Sequence, residues 1–180
     1  MLGGEKHFRL MPNIEHSMAG NLTQPLTTIA GFGQMILSGT PRPLYQWNIT
    51  SNGTIVLECD ASTPPAFVAQ WAAYTIDGNL RRDFRLVVLN QTSGHDMYHN
   101  VTWINTLLQP NAELSTPQTI VYTAYVEPPE SGWVGFIIEG NWPAPGPQGT
   151  LFRMSSGPSI LPNVLPYPDC EGEACAGPLV

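Results

Sequence analysis

Phe8-Arg9-Leu10-Met11-Pro12-Asn13-Ile14-Glu15-His16-Ser17-Met18-Ala19-Gly20 sets one histidine among small and polar residues, directly after an apolar tetrapeptide. Phe8 to Met11 is apolar apart from Arg9, and Pro12-Asn13 stops a strand because proline has no N–H to give to a ladder. Downstream, Pro25 to Leu37 spaces Leu26, Ile29, Ala30, Gly33, Ile36 and Leu37 at helical intervals, with Pro25 in the first turn, where its missing donor is tolerated. The pattern predicts strand, loop and helix, with His16 in the loop. An α/β fold places its working residues in such loops, at the carboxyl ends of strands.

In hydrolases of the α/β class the triad runs serine, acid, histidine along the chain, and the histidine follows the last strand. An imidazole there can take a proton and return it, because its pKa lies near working pH. His16 is the candidate catalytic residue in that role; the plainer reading is a solvated or hydrogen-bonded loop histidine.

The run Met11 to Gly20 resembles the Val-Pro-Asn-x-Glu-His-Ser segment of the PhoPQ-activated pathogenicity-related family, which includes secreted autocrine proliferation repressors of social amoebae. Trp71-Ala72-Ala73-Tyr74-Thr75, Arg81-Arg82-Asp83-Phe84-Arg85 and Gly132 to Glu139 are similar to blocks of that family's C-terminal region, in the same order. The resemblance spans Phe8 to Trp142. It implies that residues 1–40 are the last strand, histidine loop and helix of an α/β-hydrolase domain, followed by a β-sandwich over residues 41–142 and a Pro/Gly-rich tail over residues 143–180. A serine hydrolase also needs a Gly-x-Ser-x-Gly turn, which the sequence lacks. Ser155-Ser156-Gly157 is the nearest glycine-flanked serine pair, in a stretch read as having no strand before it and no helix after it. The acid partner is likewise missing, and Glu15 is read as bracing the loop. The chain is therefore expected to be the C-terminal fragment of a longer protein, inactive by itself, whose signal peptide lies upstream. Phe8, Leu10, Ile29 and Leu37 are expected to belong to a core this chain does not complete.

Composition supports a secreted reading. Of the 180 residues 42% are hydrophobic, an ordinary globular share, but only 12% are charged, about half the usual fraction. Carbohydrate is the candidate for what keeps the chain soluble. Asn21-Leu22-Thr23, Asn48-Ile49-Thr50, Asn52-Gly53-Thr54, Asn90-Gln91-Thr92 and Asn100-Val101-Thr102 all fit the glycosylation acceptor pattern, five among eleven asparagines. The alternative is that they are bare. A net charge of −7 argues against nucleic acid, whose phosphates call for clustered lysine and arginine. The basic cluster Arg81-Arg82-Asp83-Phe84-Arg85 reads as arginines paired with nearby carboxylates, ahead of an anion or protein contact. No run approaches the eighteen or so apolar residues of a membrane span, and no cofactor is implied. His95 and His99 in His-Asp-Met-Tyr-His have a metal-ligand spacing only on a helix, and the segment reads instead as a mobile loop without metal.

Beyond Ser38-Gly39-Thr40-Pro41-Arg42-Pro43, which closes the helix, alternation of the β type takes over. Seven strands are predicted near 44–50, 54–59, 67–76, 83–90, 101–107, 119–126 and 133–142, which suggests an immunoglobulin-like or fibronectin-like sandwich in a mainly β chain. Trp47, Trp71, Trp103 and Trp133 read as core, with an aromatic binding platform as the alternative. Of the three cysteines, Cys170 with Cys175 is the simplest disulfide, and Cys59 with either is the other choice. Two functions stay open: a secreted serine hydrolase acting on peptide or ester bonds, or a secreted signalling protein whose sandwich meets a cell-surface receptor.

Overall fold

The computed structural model describes residues 6–15, 17–18, 20–76, 82–90, 92–147, 149–164 and 172. The described residues are mainly β with one helix. Helix α1 (Thr23–Leu37) has Pro25 in its first turn and ends where Gly39 takes φ +66°, a conformation that favours glycine. The N–H of Gly39 then reaches the carbonyl of Ile36 and that of Thr40 the carbonyl of Met35, so the last turn is satisfied by the backbone itself.

Ten strands follow: β1 (Tyr45–Ile49), β2 (Ile55–Asp60), β3 (Phe67–Tyr74), β4 (Val87–Leu89), β5 (Asp96–Tyr98), β6 (Ile104–Leu108), β7 (Thr119–Ala124), β8 (Val134–Pro143), β9 (Leu151–Ser155) and β10 (Ser159–Leu161). All pairings are antiparallel. One sheet has the order β1-β2-β7, a second runs β10-β8-β3-β6 with β9 also on β8, and β4 and β5 form a hairpin of their own. Each of the seven segments expected to be extended overlaps one of these strands. Three strands went unread. Asp96–Tyr98 is β5 rather than a mobile loop, and the stretch after Trp142, expected to lack alternation, supplies β9 and β10. Both lie along one edge of β8, whose other edge is paired with β3 from Val134 to Asn141.

The two larger sheets share one core. Ile55, Leu57 and Cys59 of β2 and Tyr122 and Ala124 of β7 meet Val68 of β3 and Val134, Phe136 and Ile138 of β8. Trp142 is the largest fully buried side chain, and its Nε1 donates to the carbonyl of Thr63 at 3.1 Å. Trp133 is buried as expected, whereas Trp47 is 40% exposed, lying over Gly157. Cys59 is a free buried thiol, and burial pushes its pKa up to about 12; Cys170 and Cys175 lie outside the described residues.

The N-terminal segment and α1 dock onto this β core. Phe8 accepts a backbone bond from Ser155 of β9 at 3.0 Å, and Leu10 donates to the Ser155 hydroxyl at 2.6 Å. Helix α1 buries Pro25, Gly31 and Met35, and Gly31 lies so close to Leu151 that an added Cβ would overlap the Leu151 carbonyl. The opposite face is apolar and open: Leu22, Leu26, Ile29, Ile36 and Leu37 are 53–83% exposed on a helix with no charged residue. Phe8 is half exposed too.

Two glycines of α1 should respond oppositely to alanine. Gly31→Ala forces the helix off β9 and is expected to cost about 1–3 kcal/mol. Gly33 has nothing within 4 Å of an added Cβ, so Gly33→Ala is expected to gain up to about 1 kcal/mol from helix propensity. Urea unfolding of both variants checks the pair.

Candidate functional site

The loop that follows the N-terminal segment is fixed by its own polar groups. Asn13 has φ +58°, a left-handed conformation that asparagine tolerates better than most residues. Its carboxamide then acts like a strand neighbour: Nδ2 donates to the carbonyl of Trp103 and Oδ1 accepts from the Trp103 N–H, both at 2.8 Å. Past it, the Met18 N–H donates to the Glu15 carbonyl at 2.9 Å, closing a four-residue turn. Met18 is itself left-handed at φ +58°. The Glu15 carboxylate accepts from the Gly20 N–H at 3.0 Å, which is the bracing role read for it. His16 lies outside the described residues; what is fixed are its neighbours on both sides.

Beneath this loop is a cavity of about 540 Å³. One wall is the loop itself, from Leu10 to Glu15 with Ser17. The other is the arm leading into β4, with Phe84, Leu86 and Val87, together with Trp103 and with Ile137 of β8. The arm is held by aromatic packing: Phe84 and Trp103 rings are 5.8 Å apart, and Phe84 fills the space where a Cβ on Gly135 would stand. The walls are mostly apolar, with Arg85 and Asp96 as charged members opposite Glu15. Such a cavity suits an apolar group whose polar end reaches the loop.

Charge ties the loop to the sheet behind it. Arg9 pairs with Glu139 of β8 at 3.3 Å, and the two side chains are 6% and 7% exposed. Arg9 also donates to the Thr28 hydroxyl of α1. Burial pushes the Arg9 guanidinium below its ordinary pKa, and Glu139 beside it pushes it back up. Across the cavity, Arg85 grips Asp83 through Nε at 2.9 Å and Nη2 at 2.6 Å. Those bonds hold the Asp83 carboxyl down at about 2. Within the arginine cluster Arg85 alone meets a carboxylate as expected among the described residues, whereas Arg82 donates to the Val164 carbonyl and lies over the Trp133 ring; Arg81 lies outside the described residues.

The remaining sequence candidates are scattered. Asn21, Asn48, Asn52 and Asn100 are exposed, and Asn90 is half-buried with its carboxamide oxygen bonded to the N–H groups of Thr92 and Ser93. Ser155 ends β9, contrary to the expectation that no strand precedes it. Ser156 is 1% exposed, its hydroxyl donating to the Gly157 carbonyl and accepting from the Ile138 N–H, so neither serine is presented as a nucleophile. Among the described residues no three metal-ligating side chains cluster, and no helix is long and apolar enough to cross a membrane. The Asn13–Trp103 link and the Arg9–Glu139 pair were missed by the sequence reading. A lone arginine in an apolar run, and a lone glutamate in Val134 to Trp142, were the signals that could have found the second.

The described residues define a mainly β protein with a braced N-terminal loop over a cavity. Residues 1–85 match the family described as PhoPQ-activated pathogenicity-related protein. The chain is also 30% identical, over 182 aligned residues and 95% of its length, to Autocrine proliferation repressor protein A of Dictyostelium discoideum. It covers 35% of that relative. No solved structure matches it. Residues 1–85 thus carry the signature of the PhoPQ-activated pathogenicity-related family.

The Asp83–Arg85 pair makes a pH prediction. A carboxyl held near 2 in the folded chain, against about 3.9 unfolded, adds stability that is present above pH 4 and is lost as pH falls toward 2. Arg85→Met should raise the Asp83 pKa toward the ordinary value, read by carboxyl carbon NMR titration, and flatten the fall in stability between pH 4 and pH 2.

Proposed function

We propose that this chain is the C-terminal part of a secreted glycoprotein of the α/β-hydrolase superfamily, in which the 13–20 loop presents His16 as the general base of a serine hydrolase. The observation that carries this reading is the braced loop over an apolar cavity, in a segment that also falls within the family match. In the mechanism, a serine from the upstream part attacks a peptide or ester carbonyl while His16 takes its proton. His16 then returns that proton to the leaving group, and water repeats the cycle to free the acyl product. Glu15 is hydrogen-bonded to Gly20 and holds the loop, leaving the triad acid to come from the upstream part. The cavity takes the apolar portion of the substrate.

On this reading residues 1–40 complete an α/β-hydrolase domain, and the bare apolar face of α1 is covered by that domain. The β1-β2-β7 and β10-β8-β3-β6 sheets would be an immunoglobulin-like sandwich, an assignment supported by their common core. Exposure of Asn21, Asn48, Asn52 and Asn100 supports use of those acceptors, with Asn90 as a fifth, and the Cys170–Cys175 disulfide belongs to the same secreted reading. A second reading is favoured by the match to a proliferation repressor: a secreted signalling protein that meets a cell-surface receptor through its β domain, with catalysis lost.

Labelling of the full-length protein by a fluorophosphonate probe separates the two. The hydrolase reading expects labelling, and expects His16→Ala to lower ester turnover by about 10²–10⁴-fold. Absence of labelling on the folded, secreted protein would sink it and leave the signalling reading.

A further inference from the structure

Strand β6 ends the five-stranded sheet, and among the described residues its outer edge meets nothing that usually discourages pairing. The outer sides of β7 and β9 are covered by the chain itself. The outer side of β7 is met by Asn111, whose N–H donates to the Val121 carbonyl, and by Ser115, whose hydroxyl accepts from the Val121 N–H. The outer side of β9 is met by Phe8. From Asn100 to Ala112, in contrast, the sequence holds no charged residue, and Ile104 and Leu107 are 69% and 64% exposed.

Two observations fix which groups face outward on β6. Thr75, in line with the odd-numbered residues of β3, donates to Trp133 on the β8 side. Even-numbered residues of β3 therefore bond toward β6, where they meet Ile104, Thr106 and Leu108. Independently, Trp103 gives its N–H and carbonyl to Asn13 and not to β3. Both place the N–H and carbonyl of Asn105 and Leu107 on the open edge.

We propose that this edge pairs with the same edge of a second copy of the chain, antiparallel, about a two-fold axis at Thr106. Asn105 then faces Leu107 of the second copy and Leu107 faces its Asn105, each pair exchanging two backbone bonds. Thr106 faces its own counterpart in a close pair whose groups do not bond. Asn13, already bonded at Trp103, blocks any extension of the ladder at either end and so fixes the register. The absence of charge favours a second copy: with a net charge of −7 two copies repel wherever acidic side chains meet, and this strand brings none, while a different partner chosen by charge would find nothing to read. The inference is independent of the hydrolase reading.

The test uses the whole chain. Sedimentation over a concentration series is expected to show monomer passing to dimer. Leu107→Pro removes only an outward N–H, and Leu107→Lys adds edge charge; both are expected to abolish the dimer with circular dichroism unchanged. Thr106→Cys is expected to give a disulfide-linked dimer on a non-reducing gel, and Gln109→Cys, beyond the ladder, to give none. Ile29→Lys, on the bare face of α1, is expected to leave the dimer intact. A chain monomeric at every concentration overturns the proposal. So does a dimer that survives Leu107→Pro or is lost in Ile29→Lys, and so does a Thr106→Cys chain that does not cross-link.

Discussion

Glu139 places a carboxylate at the centre of a strand buried along nearly its whole length, and Arg9 is the cation that meets it. A carboxylate taken out of water without a partner would be heavily destabilising, so β8 tolerates Glu139 only with the N-terminal segment in place. Even-numbered residues of β8, Val134, Phe136 and Ile138, join the core between the sheets. Its odd-numbered face does other work: Gly135 receives Phe84, Ile137 floors the cavity, and Glu139 holds Arg9. One strand thus anchors both the β core and the loop.

That arrangement sets the geometry of the site. Arg9 draws the segment down onto β8, Ser155 pairs with it on the β9 side, and Asn13 fastens it to Trp103 at the start of β6. The loop bearing His16 is held at three places over the mouth of the cavity. Helix α1 leaves the loop in a direction dictated by the close approach of Gly31 to Leu151, and its outer face stays exposed.

Much of this was legible in the residues. The 3.6-residue spacing of Leu26, Ile29, Gly33 and Ile36, with Gly39 after it, located α1, although that spacing marks the exposed stripe and not the face that packs on β9. Alternation located β2 and β8, and turn residues such as Asn52-Gly53 separated the strands. β9 and β10 were invisible because they are short, flanked by proline and glycine, and owe their conformation to an edge of β8 far away in sequence. β5 was missed for a related reason: its three exposed residues are ordered by pairing with β4, not by a buried face. β3 was located by its range alone, and the strand is covered on both faces: Val68 enters the core between the sheets while Ala69 and Ala73 are buried on the other side. The polar links escaped because each joins residues 90 or more positions apart.

Two amides report directly on whether the loop and the β core are one unit. The Trp103 N–H bonds to the Asn13 side chain, and the Ser155 N–H bonds to Phe8. Native-state hydrogen exchange of the chain should find both amides opening with the same free energy as the interior of β8. If they exchange at unprotected rates while β8 remains protected, the N-terminal segment is not docked and the loop is not held over the cavity.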